Sequence, residues 1–403
     1  MKFLLVPGNN SFSHVAKCLV IEEELISKGH DVLIAVSKNH SRFMKKLHLR
    51  HVILPDIQES DRSGFPTVEW FRQPQRIIDC INAEIDLIKQ YKPQYVLGVF
   101  RFTIKISSII TGVPYYSLIC GCMIPESKEV IGFAEGEPGI KTQQIILDSF
   151  YRYAGSKICR AFPTLCTSHI NDARHLLKGD RTFLWDFPEF LPLPPQNDII
   201  HVGPLLWQHW PYDEFDITRL KTDKHPLAII AFGTCAPHIV VINRITRILL
   251  ELGFEIILAA GGQEDILNIM PNEPLVTTCN YAPFHMLFPL SSLIISHGGQ
   301  MTVFEALQNE VPVLVMPSQP EQAHNGVCLE RIGCGRRLLL PQHFQGEESV
   351  YINAFNRMSD GKIKSAITGL IHDPQIKKRL SDIKNILNQY KGAEQIVSMI
   401  EDA

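Results

Sequence analysis

Strong net charge, C-x-x-C cysteine pairs and long apolar runs are all missing from this sequence of 403 residues. The formal charge of −3 at pH 7 gives no general attraction to nucleic acid or to an anionic membrane. The most apolar region, residues 95–124, contains Arg101 and Lys105 and is interrupted by Pro114. It therefore falls short of the roughly 18 uninterrupted apolar residues expected of a transmembrane segment, and neither nucleic acid nor the bilayer core is an expected partner.

Signals for a bound metal are also missing. Ten cysteines are present, but no C-x-x-C pair occurs, and Cys120-x-Cys122 is the tightest spacing. Zinc sites generally require two such pairs or matching histidines, and no D-x-D pair of carboxylates suggests a catalytic metal. The first apolar run, residues 3–6, ends at Pro7 and Gly8, so no signal peptide is expected. Reduced, buried thiols in a cytoplasmic protein follow from this pattern.

What the sequence does contain is a repeated alternation of short apolar runs and helical patterns. The length suits two domains of about 150 to 200 residues each. The runs predict buried strands at 3–6, 31–36, 51–54, 95–99 and 115–119, and again at 227–232, 254–259, 275–279, 293–296 and 313–316. Helical patterns at 14–28, 75–91 and 103–111 separate the first strands. We therefore expect an α/β protein with two Rossmann-like, doubly wound parallel sheets and ligand sites at the carboxyl ends of strands.

A break between the two halves is visible at residues 203–224, which mix proline, tryptophan and charged residues without a period. We place an N-terminal domain at 1–207, a linker at 208–224 and a C-terminal domain at 225–375. Residues 376–403 are expected to form C-terminal helices.

The most informative segment is residues 296–325, where a histidine and paired glycines stand between an apolar strand and a helix start. The N–H groups of a helix's first turn point outward, and the helix dipole places about half a positive charge there, so a diphosphate is favoured. The residues in this position are His297, Gly298, Gly299 and Thr302. Glu305 falls on the same helical face as Thr302, where a carboxylate can accept hydrogen bonds from the vicinal hydroxyls of a ribose.

This segment resembles the donor-binding signature of inverting nucleotide-sugar glycosyltransferases with the GT-B fold, the family of the plant UDP-sugar transferases and the bacterial macrolide-type enzymes. The resemblance implies that residues 1–207 bind the acceptor, that residues 225–375 bind the nucleotide sugar across a cleft, and that the last helix crosses back to the N-terminal domain. It also implies that His297 and Thr302 contact the donor diphosphate and that Glu305 contacts the ribose. Glu321 and Gln322 then contact the hexose. Met301 stands where bacterial members usually have glycine, and Glu321 where aspartate is commoner.

Two further elements resemble the family in the same order. Tyr281-Ala282-Pro283-Phe284 resembles the aromatic element beside the nucleobase, and Phe232-Gly233-Thr234 resembles the small polar loop after the first strand of the C-terminal domain. The candidate donor-binding residues are Thr234, Tyr281, Phe284, His297, Gly298, Gly299, Gln300, Met301, Thr302, Glu305, Glu321 and Gln322. No cofactor and no metal is expected, and a UDP- or dTDP-sugar is the co-substrate.

The candidate catalytic base is His14, which follows the first strand at the start of a helix. The segment from Ser13 to Lys17 partly matches the family's Gly-His-x-x-Pro, whereas His30 precedes the second strand and is expected to be structural. In the family an aspartate after the fourth strand usually orients this histidine, but Val99 occupies that position. Three explanations are open: the acceptor is acidic enough to need little help, transfer has been lost, or another acid takes the role, with candidates Asp56, Glu126 and Glu135.

Two functions are therefore weighed. The leading one is transfer of a hexose, with inversion, from a UDP- or dTDP-sugar to a hydroxyl of a small hydroxylated or lipophilic acceptor. The alternative is a catalytically impaired nucleotide-sugar-binding protein with an accessory or regulatory role. A carboxylate oxygen within hydrogen-bond reach of the His14 ring would favour catalysis, and the absence of any within about 6 Å would favour the binding protein. Aromatic residues of the N-terminal half are expected to line an acceptor pocket or the core: Phe65, Trp70, Phe71 and Phe133.

Overall fold

The computed structural model describes residues 1–57, 68–163, 171–210, 212, 214–233, 239–269, 273–339 and 348–402. Its contacts divide the chain into two compact units. Unit 1 comprises Met1–Val130, Gly139–Trp207 and Tyr390–Ala403. Unit 2 comprises Ile131–Pro138 and Gln208–Gln389.

Unit 1 is built on a seven-stranded sheet in the order β3-β2-β1-β4-β5-β6-β7, with parallel pairing throughout. Its strands are β1 Lys2–Pro7, β2 Asp31–Val36, β3 His51–Ile53, β4 Tyr95–Val99, β5 Tyr115–Ile119, β6 Arg181–Leu184 and β7 Ile199–His201. The central strands are apolar and buried along nearly their whole length, as expected of strands covered by helices on both faces.

The helices of unit 1 are α1 Phe12–Ser27, α2 Lys38–Lys46, α3 Pro74–Tyr91, α4 Ile104–Thr111, α5 Ile140–Ala161 and, at the end of the chain, α14 Ala393–Glu401. Helix α1 begins after Ser11, whose side chain accepts a hydrogen bond from the N–H of Ser13. Helix α14 packs on α1. Its Glu401 carboxylate accepts from Lys28 at 2.9 Å and meets His30 at 2.8 Å, which ties the end of the chain into unit 1.

Unit 2 is built on a six-stranded sheet in the order β10-β9-β8-β11-β12-β13, again parallel. Its strands are β8 Leu227–Ala231, β9 Glu255–Ala259, β10 Val276–Cys279, β11 Ser291–Ser296, β12 Val313–Val315 and β13 Gly335–Arg337. Its helices are α6 Ile239–Glu251, α7 Glu264–Leu267, α8 Phe284–Leu287, α9 Gln300–Gln308, α10 Pro320–Ile332, α11 Glu348–Asn356, α12 Asp360–His372 and α13 Pro374–Leu387.

Each sheet reverses its strand order once, and these two points position the candidate sites. In unit 1 the reversal lies between β1 and β4, and in unit 2 between β8 and β11. Open α/β sheets bind ligands beyond the carboxyl ends of the strands at such a point, because the connections on either side lead away in opposite directions and leave a crevice. The loop that bears His14 follows β1, and the turn that bears His297 follows β11.

Both parallel sheets predicted from the sequence are present, and the ten predicted strands are found to within a few residues. Seven cysteines are buried thiols outside any disulfide, as expected: Cys18, Cys80, Cys120, Cys122, Cys279, Cys328 and Cys334. Cys159 corrects that expectation, since it is disulfide-bonded. Among the described residues, no helix has the length and apolar character that crossing a membrane would require.

Candidate active site

The predicted diphosphate turn is a glycine turn at the end of β11. Gly298 has φ of +87°, and a Cβ there would lie 2.7 Å from Val315 Cγ1 and 2.8 Å from the carbonyl oxygen of Gln322. Both the dihedral angle and the close approach of α10 therefore require glycine. The amide of Asn325 donates to the Gly298 carbonyl at 2.9 Å, which holds the turn from the side of α10. Helix α9 then begins at Gln300, so its first N–H groups face the end of the turn.

The His297 ring packs over this turn, where a Cβ on Gly299 would lie 2.5 Å from its Nε2. Its Nδ1 atom is shielded from water and has no hydrogen-bond partner. Burial lowers the pKa of His297 to about 4, with the backbone of Ala231 acting in the opposite direction. The imidazole is therefore neutral at pH 7, and in this form one ring nitrogen carries an N–H that can donate to a bound anion.

Glu305 lies one turn further along α9. Its Oε1 atom is shielded from water and has no hydrogen-bond partner, and burial raises the pKa of Glu305 to about 7. A carboxylate in this state lacks the hydrogen bonds that would compensate its desolvation. The 2′- and 3′-hydroxyls of the ribose of UDP, or the single 3′-hydroxyl of dTDP, would supply them, so this geometry suits the predicted role.

The nucleobase side of the candidate site is formed by loops after β9 and β10. Tyr281 is 41% exposed, and a Cβ on Gly262 would lie 3.4 Å from its hydroxyl. Phe284 opens α8 and packs on Phe288 at a ring distance of 5.0 Å. Gln263 joins these loops to the end of β8 by donating to the carbonyl of Gly233 at 2.9 Å. Thr234, predicted here, lies outside the described residues.

The predicted hexose residues lie in the first turn of α10. The side-chain oxygen of Gln322 accepts from the N–H of Ser318 at 2.9 Å and from its hydroxyl at 3.0 Å. Gln322 therefore holds the loop after β12 to the start of α10. Glu321 is half-buried at the same helix end. Three further predicted residues occupy the first turn of α9, where Gln300 is buried and Met301 and Thr302 are half-buried.

In unit 1, His14 is in the first turn of α1 and is only 6% exposed. Its ring lies 5.3 Å from that of Phe100 and 5.8 Å from that of Trp185. Its Nδ1 atom has no hydrogen-bond partner. Burial, and after it the charges of Lys17 and His40, hold the pKa of His14 well below its usual range, while the backbone of Gly8 acts in the opposite direction. The ring is therefore neutral at pH 7, which is the form that a general base needs.

None of the three proposed carboxylate substitutes bonds to the His14 ring. Asp56 accepts from Arg101 Nη1 at 2.8 Å and from the N–H of Asn9 at 2.9 Å. Glu126 is paired with Lys178, and Glu135 is exposed and belongs to unit 2. Among the described residues no carboxylate is hydrogen-bonded to His14, so this criterion by itself does not favour catalysis.

The segment after β4, where the family has its aspartate, instead carries a buried cation. The Arg101 side chain is 1% exposed and meets Glu84 at 2.7 Å and Asp56 at 2.8 Å. Arg101 also donates to the carbonyl of Pro55 at 2.6 Å. Since its donors are committed to groups of unit 1, Arg101 holds together the loops around the end of the sheet.

The residues at each site come from distant parts of the sequence, and some were not expected. Tyr212, from the predicted linker, lies with its ring 5.1 Å from that of His285; burial and the nearby charge of Glu305 both raise the pKa of Tyr212. In unit 1, the Lys17 ammonium lies 4.3 Å from the ring centre of Trp185. Trp185 was missed because it follows β6, a strand that the sequence pattern did not predict. Tyr212 was missed because the segment around it has no periodic pattern of apolar residues.

The aromatic residues predicted to line an acceptor pocket lie in different parts of the structure. Phe71 is fully buried and packs edge-on against Phe102 and Phe150, which makes it a core residue. Trp70 is 7% exposed. Phe133 is buried in unit 2 rather than in the unit that holds His14, and Phe65 lies outside the described residues.

Comparison with known proteins bears on this architecture. Residues 249–343 match the model of the glycosyltransferase family 28 C-terminal domain. The solved structure of the glycotransferase of kitacinnamycin is similar over 100% of this chain and 98% of its own, with a TM-score of 0.73 and 15% identity. The glycosyltransferase VinC, solved in complex with dTDP, is similar over 100% and 99%, with a TM-score of 0.69 and 14% identity.

The chain has the GT-B fold. A curated relative, the PGL/p-HBAD biosynthesis rhamnosyltransferase of Mycobacterium bovis (strain BCG / Pasteur 1173P2), is 21% identical over 347 residues, which cover 83% of this chain and 76% of the relative. The resemblance, the GT-B fold class and the expected reaction class, a nucleotide-sugar glycosyltransferase, are thereby confirmed. The comparisons give no support to the alternative of a non-catalytic binding protein.

Proposed function

We propose that this GT-B glycosyltransferase transfers a hexose, with inversion, from a UDP- or dTDP-sugar bound by unit 2 to a hydroxyl of a small or lipophilic acceptor. The observation that carries the proposal is the set of polar groups around the α9 start. A glycine turn, a neutral histidine and a glutamate with a shielded Oε1 follow one another at the end of β11 and the start of α9, and we assign the first two to the diphosphate and the glutamate to the ribose.

The groups on the donor side stabilise the negative charge of the leaving group. As the bond between the anomeric carbon and the diphosphate oxygen breaks, negative charge accumulates on that oxygen. The N–H groups of the α9 start and an N–H of His297 are fixed donors for this charge, and such preorganised groups are often the largest contribution to catalysis. We propose that these groups act without a metal ion.

The acceptor side requires a base. We propose that His14 takes the proton of the acceptor hydroxyl as its oxygen attacks the anomeric carbon. Burial and the cationic neighbour Lys17 lower the pKa of His14, so the unprotonated ring is present at pH 7, and the same two effects reduce its basicity. Trp185 and Phe100 pack against the ring at 5.8 and 5.3 Å, and we propose that they orient it, a role that a hydrogen-bonded carboxylate has in serine-protease triads.

The relatives inform the choice of donor and acceptor. VinC is described in complex with dTDP, and a relative of this chain is named a rhamnosyltransferase. We therefore propose a dTDP-deoxyhexose as the first donor to test, with UDP-glucose as the second. A cytoplasmic location remains a prediction.

The test is calorimetric titration of the protein with dTDP and with UDP, followed by release of nucleoside diphosphate from dTDP-rhamnose and UDP-glucose over an acceptor panel. We expect binding of one nucleotide and acceptor-dependent release, unchanged by added EDTA. Absence of nucleotide binding would contradict the donor site. Loss of turnover with EDTA that is restored by a divalent cation would contradict the metal-free mechanism.

A further inference from the structure

One short segment of the N-terminal half of the sequence belongs to the donor-binding unit. The chain leaves unit 1 after Val130, runs through unit 2 as Ile131–Pro138, and rejoins unit 1 at Gly139. We call Ile131–Pro138 the strap. Ile131 is 2% exposed and Phe133 is 6% exposed, although the strap has no regular secondary structure. The strap is buried only at Ile131–Phe133, and because these three residues lie outside any helix or strand, their backbone groups need other partners.

Arg337, at the end of β13, bonds to the strap. Its side chain is 3% exposed and makes two hydrogen bonds to Glu137 of the strap, Nη1 to Oε2 at 3.2 Å and Nη2 to Oε1 at 2.7 Å. Nη1 also lies 3.4 Å from the carbonyl oxygen of Gly132. On its other side Arg337 meets Glu330 of α10 at 2.7 Å. This paired, bidentate geometry is the strong form of the arginine–carboxylate bond.

The strap rests on the first turn of α10, which carries the proposed hexose residues. The N–H of Gly132 donates to His324 Nδ1 at 3.3 Å. Gly132 has φ of +90°, and a Cβ there would lie 3.0 Å from the carbonyl oxygen of Pro320 and 3.5 Å from the Cβ of Ala323. Pro320 and Ala323 flank Glu321 and Gln322 on both sides in the sequence. The strap backbone therefore touches the helix end that aims those two side chains.

We propose that the strap Ile131–Pro138 forms a wall of the hexose subsite, and that Arg337, through Glu137 and the Gly132 carbonyl, is the positioning residue that fixes it there. The inference rests on the proposed function, because it assigns the sugar end of the donor to the α10 start. It extends that function by making a segment outside residues 225–375 a determinant of the donor sugar. The nucleoside diphosphate alone does not reach the strap, whereas the nucleotide sugar does.

This difference defines the experiment. Affinities are measured by calorimetry for dTDP and dTDP-glucose, and for UDP and UDP-glucose, in wild type, Glu137→Gln and Glu330→Gln. Both variants remove one carboxylate from Arg337, but only Glu137 belongs to the strap, so Glu330→Gln is the matched control. We expect Glu137→Gln to weaken the nucleotide sugar by about tenfold, the size of one charged hydrogen bond, and to leave the nucleoside diphosphate unchanged. Glu330→Gln should change both ligands equally or not at all.

A second variant tests the contact itself. Gly132→Ala places a methyl group against Pro320 and strains the backbone, and it should weaken the nucleotide sugar selectively as well, with circular dichroism unchanged. Equal weakening of nucleoside diphosphate and nucleotide sugar in Glu137→Gln would overturn the proposal, as would no change in either ligand. Failure of the wild type to bind either nucleotide would instead overturn the proposed function, and the strap's role with it.

Discussion

The two histidines at the strand-order reversals, His14 in unit 1 and His297 in unit 2, have the same local state and different surroundings. Each follows the carboxyl end of a central strand, each has an Nδ1 atom without a partner, and burial lowers the pKa of each. His297 adjoins the glycine turn before α9, and Glu305 lies one turn further along that helix. Around His14 the expected carboxylate is replaced by aromatic rings and a nearby lysine.

The difference reflects what each site has to recognise. A diphosphate and a ribose have fixed shape and charge, so backbone N–H groups and one carboxylate at set spacing suffice, and a sequence pattern records them. A proton acceptor only needs to be neutral, oriented and near its substrate. Rings packed on both faces can orient an imidazole as hydrogen bonds do, but no short motif encodes them. Substituting the residues of each site in turn tests whether the two sites differ in this way.

Removal of His14 should have the largest effect. In His14→Ala we expect turnover to fall by about a hundred- to ten-thousandfold, the usual contribution of a general base, with nucleotide affinity within twofold of wild type. Release of nucleoside diphosphate in saturating donor, together with calorimetry, measures the two quantities. Turnover that survives would mean that another residue is the base and that the two histidines are not comparable.

The buried cation after β4 comes next. Arg101→Met leaves Glu84, which is fully buried, and Asp56, whose side chain is 7% exposed, without their shared partner. We expect the free energy of unfolding to fall by about 3 to 5 kcal/mol, the cost of an uncompensated buried charge, as measured by urea denaturation. Arg72→Met is the control, because its pair with Glu69 is exposed and should contribute less than about 1 kcal/mol. Equal effects would show that Arg101 does not organise the end of the sheet.

Glu305 tests the donor side. In Glu305→Ala we expect UDP binding to weaken by about 1.5 to 3 kcal/mol through loss of the charged hydrogen bonds to the 2′- and 3′-hydroxyls of its ribose, whereas dTDP, which has only the 3′-hydroxyl, should lose less. Titration with the nucleotide and with its 2′,3′-dideoxy analogue measures this loss. Wild type and variant should bind the dideoxy analogue equally, and a variant that still prefers the natural ribose would contradict the assignment.

Both sheets could be predicted from the sequence because buried parallel strands are continuous apolar runs, and the runs at 3–6 and 227–232 are of this kind. Strand β13, Gly-Arg-Arg, could not be, since its residues are polar and glycine stands first. The donor turn was predicted because Gly298 has a positive φ, and the need for glycine at such a position is visible in the sequence itself. The strap and Tyr212 were not, because their positions depend on partners far away in the sequence, such as Arg337 and His285.

The smallest expected effect is a dependence of donor affinity on pH. Burial raises the pKa of Glu305 to about 7 in the empty site, so the carboxyl is largely protonated at pH 6 and ionised at pH 8. Ribose hydroxyls that donate to it favour the ionised form, and binding below pH 7 must therefore release a proton.

Affinity for a nucleotide sugar, whose diphosphate diester does not titrate near neutrality, should rise by about tenfold from pH 6 to pH 8. His297, with a pKa of about 4, stays neutral across this range and does not contribute. Calorimetry in two buffers of different ionisation enthalpy measures both the affinity and the released proton. Glu305→Gln should remove the dependence, and a wild-type affinity that is flat with pH would mean that the ribose does not bind through this carboxylate.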